Sequence, residues 1–135
     1  MKRLFLALAM VGIFAATSVA ADNISVKAQV PFDFTAAGTQ FPAGMYSIER
    51  QSIPGVLHIR DGAGRLKAMF TVNPVYRNSD AQSPMLVFNK YGDRYFLAKV
   101  WSATGAGSQL RKTKVEKELV AAVPADQVFV AAIYR

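Results

Sequence analysis

The chain has 135 residues, a length that fits one domain. Its composition is 52% hydrophobic and 19% charged, which is typical of a globular protein and too apolar for a disordered one. It contains no cysteine and one histidine, which excludes a disulfide scaffold, a thiol nucleophile, a cysteine zinc site and a multi-histidine metal centre.

Residues 1–20 have the layout of a secretory signal peptide. Lys2 and Arg3 form a positive start, residues 4–14 are free of charge and of proline, and small residues follow. The apolar run has eleven residues, whereas a membrane-spanning helix needs about 20. We therefore expect an exported protein, periplasmic or extracellular, that does not span a membrane once the signal is removed.

Cleavage is expected after Ala20, with Ala21 as the alternative, because small residues precede both positions. Residues 21–135 are then expected to form a single β-domain. Removal of the signal takes two of the sixteen basic residues, which leaves fourteen against nine acidic ones and a net charge of +5. This positive balance suits contact with anionic surfaces, and it equally promotes solubility.

Residues 24–35 alternate without a break between apolar even positions and odd positions that are polar or proline. This period of two predicts a strand with one buried face and one face in water. Pro31 has no N–H group to donate, so the strand lies on an edge there or bends at a bulge.

Further strands are predicted where apolar residues alternate between turn sequences rich in glycine and proline. They cover residues 45–50, 56–60 and 66–72. Their inward residues are expected to be Tyr46, Ile48, Leu57, Ile59, Leu66, Ala68, Phe70 and Val72. The polar residues 73–84 predict one long loop.

Residues 85–91 and 94–101 flank the loop Gly92-Asp93 and predict a β-hairpin. A glycine that opens a two-residue loop fits a primed turn, whose twist matches that of paired strands. Both arms are apolar on both faces near their middles, so the hairpin lies at the centre of the sheet or is covered on both sides. Alternation places four residues of the second arm on one face: Tyr95, Leu97, Lys99 and Trp101.

Residues 104–108 interrupt the strand pattern, and a short helix is predicted over residues 113–122. Thr113 and Glu116 match a capping box, in which hydroxyl and carboxylate each satisfy a free N–H group of the first turn. Apolar residues follow at helical spacing before the stop signal of Pro124: Val115, Leu119 and Ala122.

The start of this helix carries charges of both signs. Glu116 and Glu118 lie four residues after Lys112 and Lys114, a spacing that brings side chains together on a helix. Two ion pairs are therefore expected here.

An apolar run over residues 128–134 predicts a closing strand. In total, the sequence predicts seven or eight short strands with turns every eight to twelve residues, and one short C-terminal helix. This spacing is typical of an all-β, antiparallel fold, either a small barrel or a sandwich.

Four stretches carry a resemblance to other proteins: VPFDF at 30–34, FPAGMY at 41–46, YGDRYFL at 91–97 and KVEKEL at 114–119. Through them the chain resembles a group of small exported bacterial β-domain proteins of uncharacterised function. The resemblance spans most of residues 21–135, and YGDRYFL is its most specific part. It implies export and one domain, and it implies no activity, ligand or catalytic residue.

No catalytic constellation is evident, and no cofactor is expected. His58 is the one candidate imidazole base, and alternation places it on the outer face of its strand beside Arg60. No Gly-x-Ser-x-Gly motif accompanies it, and the acidic residues are dispersed. The glycine pairs 62/64 and 105/107 fit loops better than a phosphate-binding or dinucleotide-binding motif.

Two surface patches are candidate binding sites. The aromatic and basic side chains of the hairpin suit sugars and anionic groups, and the residues are Tyr91, Arg94, Tyr95 and Trp101. The basic side chains at the helix start suit an anionic polymer or phospholipid headgroups, and the residues are Arg111, Lys112, Lys114 and Lys117. Ordinary packing and a solvated helix face are the respective alternatives.

The preferred hypothesis is a non-enzymatic binding or structural module of the cell envelope, with an anionic envelope component or a protein as partner. No specific nucleic-acid recognition is expected. The first alternative is a small barrel that carries an apolar ligand in a cavity of at least ~300 Å³. The second alternative is a hydrolase.

Overall fold

A computed structural model describes residues 25–50, 53, 55–78 and 83–134, so the predicted signal peptide lies outside the described residues. The described part contains eleven strands and one helix. The elements are β1 (Ser25–Val30), β2 (Phe34–Ala36), β3 (Thr39–Phe41), β4 (Gly44–Arg50), β5 (Val56–Asp61), β6 (Leu66–Tyr76), β7 (Met85–Tyr91), β8 (Arg94–Trp101), β9 (Ala106–Leu110), α1 (Lys114–Ala122), β10 (Asp126–Ala131) and β11 (Ile133–Tyr134). The all-β prediction is confirmed. Strands of two or three residues raise the count above the seven or eight predicted.

The strands form one curved sheet in the order β10-β7-β8-β9-β6-β5-β4-β1-β11. All of these ladders are antiparallel, while the short β2 runs parallel to β8. The sheet is open, since the two strands at its edges, β10 and β11, are not paired with each other. These two strands are nevertheless consecutive in the chain. The predicted closing strand is therefore two strands, with a break at Ala132, whose N–H donates to the carbonyl of Pro84 at 3.1 Å.

The core fills the concave side of this sheet. The predicted inward residues Tyr46, Ile48, Leu57, Ile59 and Phe70 are buried there, as are Val26, Ala28, Val30, Phe34, Ala36, Phe41, Leu86, Phe88, Leu97, Val100 and Leu110. The cavity that lies between the core residues Val26, Ile48, Leu57 and Val100 has a volume of only about 20 Å³. That volume is far below the ~300 Å³ at the lower end of ligand pockets.

The first predicted strand is wrong beyond Val30. Pro31 has no N–H group to donate, and the chain leaves the β1 ladder there. The bend is held by Asp33, whose Oδ1 accepts a hydrogen bond from the N–H of Ala43 at 2.8 Å. Beyond it, β2 has changed partners and pairs with β3 and β8.

The predicted loop at 73–84 and the predicted break at 104–108 are also wrong in part. Strand β6 continues through Pro74 to Tyr76 and pairs with β9, which begins at Ala106. Asn73 and Pro74 conceal the end of β6, and Gly107 conceals β9, because asparagine, proline and glycine are depleted in strands. At the other end of β6, Leu66 is exposed rather than inward.

The predicted face of the second hairpin arm is wrong after Leu97. The register between β7 and β8 shifts there, so that Phe88 pairs with Leu97 but Val87 pairs with Lys99. Ala98 is the extra residue of a bulge. Tyr95 and Leu97 consequently pack with the core, whereas Lys99 and Trp101 lie on the outer face of the sheet.

The hairpin itself is confirmed, with Gly92 at φ 59° in its turn. Its middle is buried on both sides, as predicted. Leu86, Phe88 and Leu97 belong to the core, while Val87 and Phe96 are buried on the outer face. Among the described residues, no helix is long and apolar enough to cross a membrane.

Candidate functional site

Helix α1 lies over the outer face of the hairpin, and its start is set by Thr113. The Thr113 Oγ1 accepts from the N–H of Glu116 at 3.4 Å, and the Thr113 carbonyl accepts from Lys117 at 2.9 Å. The helix ends at Ala122 before Pro124, close to the predicted bounds.

The side chain of Glu116 is buried, at 4% exposure, and joins the helix to β7. Its Oε2 accepts a hydrogen bond from the hydroxyl of Tyr91 at 2.8 Å and another from Nδ2 of Asn89 at 3.2 Å. A buried acceptor without partners is costly, so these two donors account for its position.

Two predictions for α1 are therefore corrected. Only the threonine half of the capping box forms, because the Glu116 side chain turns toward β7. The ion pairs of Glu116 with Lys112 and of Glu118 with Lys114 are absent from the described part of the chain. The apolar residue Val115 of the same helix is 48% exposed.

Burial of Tyr91 has an electrostatic consequence. Loss of solvent around its hydroxyl, together with the hydrogen bond to Glu116, raises the pKa of Tyr91 to about 12. The ring packs edge-on against Phe96 at 5.6 Å between centroids. The Tyr91 hydroxyl is thus held as a proton donor to Glu116.

A groove of about 550 Å³ opens beside this contact, between the outer face of the sheet and the segment that leads into α1. We call it the basic groove. Its lining consists of cations, carboxamides, one acid and two apolar residues: Lys99, Arg111, Lys112, Lys117, Asn73, Asn89, Gln109, Gln127, Glu116, Ala98 and Leu110.

The floor of the basic groove is a polar row that crosses three strands. Lys99 on β8 pairs directly with Gln109 on β9, which in turn pairs with Asn73 on β6. Because neighbouring strands lie about 4.8 Å apart, the three side chains extend over about 10 Å of the sheet surface. Gln127 and Asn89 form a second pair across β10 and β7.

The charges of the basic groove favour an anion. The ion pairs in the described part of the chain lie around β4, β5 and β6, so none of the four groove cations has a carboxylate partner. The one acid in the lining, Glu116, is bonded to Tyr91 and Asn89. Fixed cations beside a concave surface raise the local concentration of anions.

Three of the four basic residues predicted at the helix start line this groove: Arg111, Lys112 and Lys117. Lys114 is exposed at the first position of α1 and is not part of the lining. The strand residues Lys99, Gln109 and Asn73 were missed. The sequence gives little sign of them, because they lie far apart in the chain. The bulge at Ala98 and the registers of β8 with β9 and of β9 with β6 bring them together.

The four residues of the predicted aromatic and basic patch do not share one surface. Tyr91 lies under α1, and Trp101 is buried at 9% exposure with the guanidinium of Arg77 5.0 Å above its ring. Tyr95 stacks on Phe32 with 3.8 Å between ring centroids. The structure places only Tyr95 and Arg94 in a common cleft.

That cleft, of about 480 Å³, is bordered by two acids, Asp33 and Asp93, and a single cation, Arg94. The Arg94 guanidinium lies 5.3 Å from the ring of Phe96. Because acids outnumber the cation, this cleft is less suited to an anion than the basic groove is.

His58 lies in the middle of β5. Its partners across the sheet are Glu49 and Met69, and Glu49 Oε2 accepts from Nε of Arg60 at 3.1 Å. The Nδ1 of His58 is buried and has no hydrogen-bond partner among the residues that the structure describes. Within the described residues, no group of three or more His, Cys, Asp or Glu could hold a metal ion.

Comparison of the chain with protein-family models, with curated proteins and with solved structures gives no match. The basic groove is accordingly interpreted from its geometry and charge.

Proposed function

We propose that this protein is a non-enzymatic binding module of the cell envelope and that its basic groove binds an anionic envelope polymer. The observation that carries the proposal is the convergence on one concave surface of four cations that have no carboxylate partner among the described residues. Export, as the signal-peptide pattern predicts, would bring this surface to such polymers.

Magnitudes favour a polymer over a small anion. A cation held near an anionic surface contributes about 1 kcal/mol, so four cations supply about 4 kcal/mol. Such a free energy corresponds to roughly millimolar affinity for a single anionic site. A polymer with repeated charges rebinds at high effective concentration, which raises the avidity without any new contact.

The test is binding of the exported protein to two immobilised polyanions of different chemistry, polyphosphate and oligogalacturonate, over a range of salt concentrations. We expect binding to at least one of them, with an affinity that falls as salt rises. The double variant Lys112→Gln/Lys117→Gln removes two such contributions and is expected to weaken binding by about thirtyfold.

The matched control is Lys114→Gln/Arg94→Gln, which removes the same charge from exposed positions outside the groove. It is expected to retain most of the binding. Equal losses in the two double variants, or no binding of either polyanion by the unaltered protein, would overturn the proposal.

A further inference from the structure

The lining of the basic groove is unusually rich in carboxamides for a site that recognises charge alone. Asn73, Gln109 and Gln127 line the groove together with the four cations. Asn89 is the fourth carboxamide of the lining and is hydrogen-bonded to Glu116. A carboxamide both donates and accepts hydrogen bonds, whereas lysine and arginine side chains only donate.

Carboxamide side chains and cationic side chains therefore select different groups on a ligand. Phosphate and sulfate oxygens only accept from a protein, so they match the cations and leave carboxamide oxygens without donors. Hydroxyl groups donate as well as accept, so they match a carboxamide on both counts. A ligand that carries anionic groups and hydroxyl groups together satisfies the whole lining.

From this combination we infer that the ligand of the basic groove is an acidic polysaccharide, that is, a sugar chain bearing anionic groups. This inference rests on the proposed function and narrows its anionic polymer to one chemical class. The anionic groups lie against Arg111, Lys112 and Lys117, and the hydroxyl groups lie along the row of Lys99, Gln109 and Asn73.

The dimensions of the groove agree with a chain segment rather than a single ion. The polar row extends over about 10 Å, and the groove volume of about 550 Å³ falls within the ~300–1,000 Å³ range of sites for drug-sized ligands. None of the described lining residues is aromatic, so the affinity comes from hydrogen bonds and charge rather than from ring stacking.

The experiment compares three probes by calorimetry with the exported protein: oligogalacturonate, the neutral galactose oligomer of the same length, and polyphosphate. We expect oligogalacturonate to bind most tightly and the neutral oligomer to bind at least tenfold more weakly. Polyphosphate is expected to bind more weakly than oligogalacturonate, because it has no hydroxyl group to donate to a carboxamide oxygen.

The decisive variant is Asn73→Leu/Gln109→Leu, which removes two carboxamides and no charge. It is expected to weaken oligogalacturonate binding about tenfold and polyphosphate binding clearly less, because polyphosphate uses only the N–H groups of a carboxamide. The control is Gln29→Leu, an exposed strand glutamine on β1 outside the groove lining, which should change neither affinity.

The outcomes separate the two proposals. Tight polyphosphate binding that depends on Lys112 and Lys117, with oligogalacturonate weak or unaffected by Asn73→Leu/Gln109→Leu, overturns the polysaccharide inference and leaves the proposed function intact. Failure of both polyanions to bind overturns both.

Discussion

The hydroxyl of Tyr91 lies 2.8 Å from Oε2 of Glu116, and this hydrogen bond ties helix α1 to the hairpin beneath it. The contact holds one wall of the basic groove against the sheet, because Glu116 lies in the groove lining next to Lys117. The helix is thus positioned by one buried acid, while its valines at 115 and 120 stay exposed.

Replacement of Tyr91 by phenylalanine tests how much the hydrogen bond to Glu116 contributes to stability. Tyr91→Phe leaves the buried Glu116 with one donor, Asn89, and should lower the free energy of unfolding by about 1–3 kcal/mol. Urea denaturation measures the change. Tyr76→Phe is the control, because Tyr76 is 77% exposed, and an equal loss in both variants would refute the assignment.

The same tyrosine predicts a pH dependence at the alkaline end. The pKa of Tyr91 is about 12 in the folded protein and 10 in its ordinary state, so folding favours the protonated hydroxyl. The stability from this group is complete below pH 10 and is lost as the pH rises through about 12.

Thermal melts from pH 8 upward should show this loss in the unaltered protein and a smaller loss in Tyr91→Phe. Tyr46, whose pKa is raised chiefly by burial, remains in both proteins and contributes equally. Identical pH profiles for the two proteins would contradict the prediction.

A second pH dependence is predicted at the acid end, in the turn after β5. Asp61 Oδ1 accepts from the N–H groups of Arg65 at 2.9 Å and of Ala63 at 3.0 Å, and Oδ2 lies 3.6 Å from Nζ of Lys67. The backbone bond from Arg65 is the main cause that lowers the pKa of Asp61 below its usual 3.8. Its stabilisation is therefore present above that value and is lost as the pH falls through the folded pKa.

Asp61→Asn should accordingly lower the melting temperature at pH 7, and the difference from the unaltered protein should shrink as the pH falls below about 4. Asp93→Asn, an exposed acid in the β7–β8 turn, serves as the control. A difference that stays constant from pH 7 to pH 3 would argue against a role for the Asp61 charge.

Close packing around the tryptophan makes Gly107 intolerant of a side chain. A Cβ atom at residue 107 would lie 2.8 Å from Cζ3 of Trp101 and 2.9 Å from the carbonyl of Val100. The Arg77 guanidinium also packs on the indole, 5.0 Å from the ring centroid. Gly107→Ala should cost about 1–3 kcal/mol of stability.

The chain has a single tryptophan, so its fluorescence reports on this site alone. We expect a shifted emission maximum in Gly107→Ala and none in Gly62→Ala, where the nearest atom, Cβ of Met45, is 3.5 Å from the added Cβ. Equal stability and unchanged emission in Gly107→Ala would show that the indole can move aside.

The parts of the fold that the sequence predicts are those with a local pattern. Alternation locates β4, β5 and the hairpin, and the Gly92 turn fixes the hairpin loop. Strand β9 is not predicted from the sequence, because Ala106, Gly107 and Ser108 have low strand propensity. The glycine is required by Trp101, which lies directly opposite Gly107 in the sheet.

The candidate site is predicted only in part, for a related reason. Arg111, Lys112 and Lys117 are close in sequence, and a cluster of basic residues is visible there. Lys99 and Gln109 join them through the bulge at Ala98 and the register of β8 with β9. A one-residue shift moves a side chain to the other face of a sheet, and local sequence does not specify that shift.

A chemical-shift titration of the ¹⁵N-labelled protein with oligogalacturonate and, separately, with polyphosphate tests most directly whether the basic groove is the binding site. The side-chain amides of Asn73, Gln109 and Gln127 report on the floor of the groove, and the backbone amides of residues 111–117 report on its wall. We expect the largest changes to cluster in these two sets. The proposal that the basic groove binds an anionic polymer would be contradicted if the largest changes lay in the cleft lined by Arg94 or in the turn after β5 that contains Arg65. It would equally be contradicted if neither polyanion caused any change.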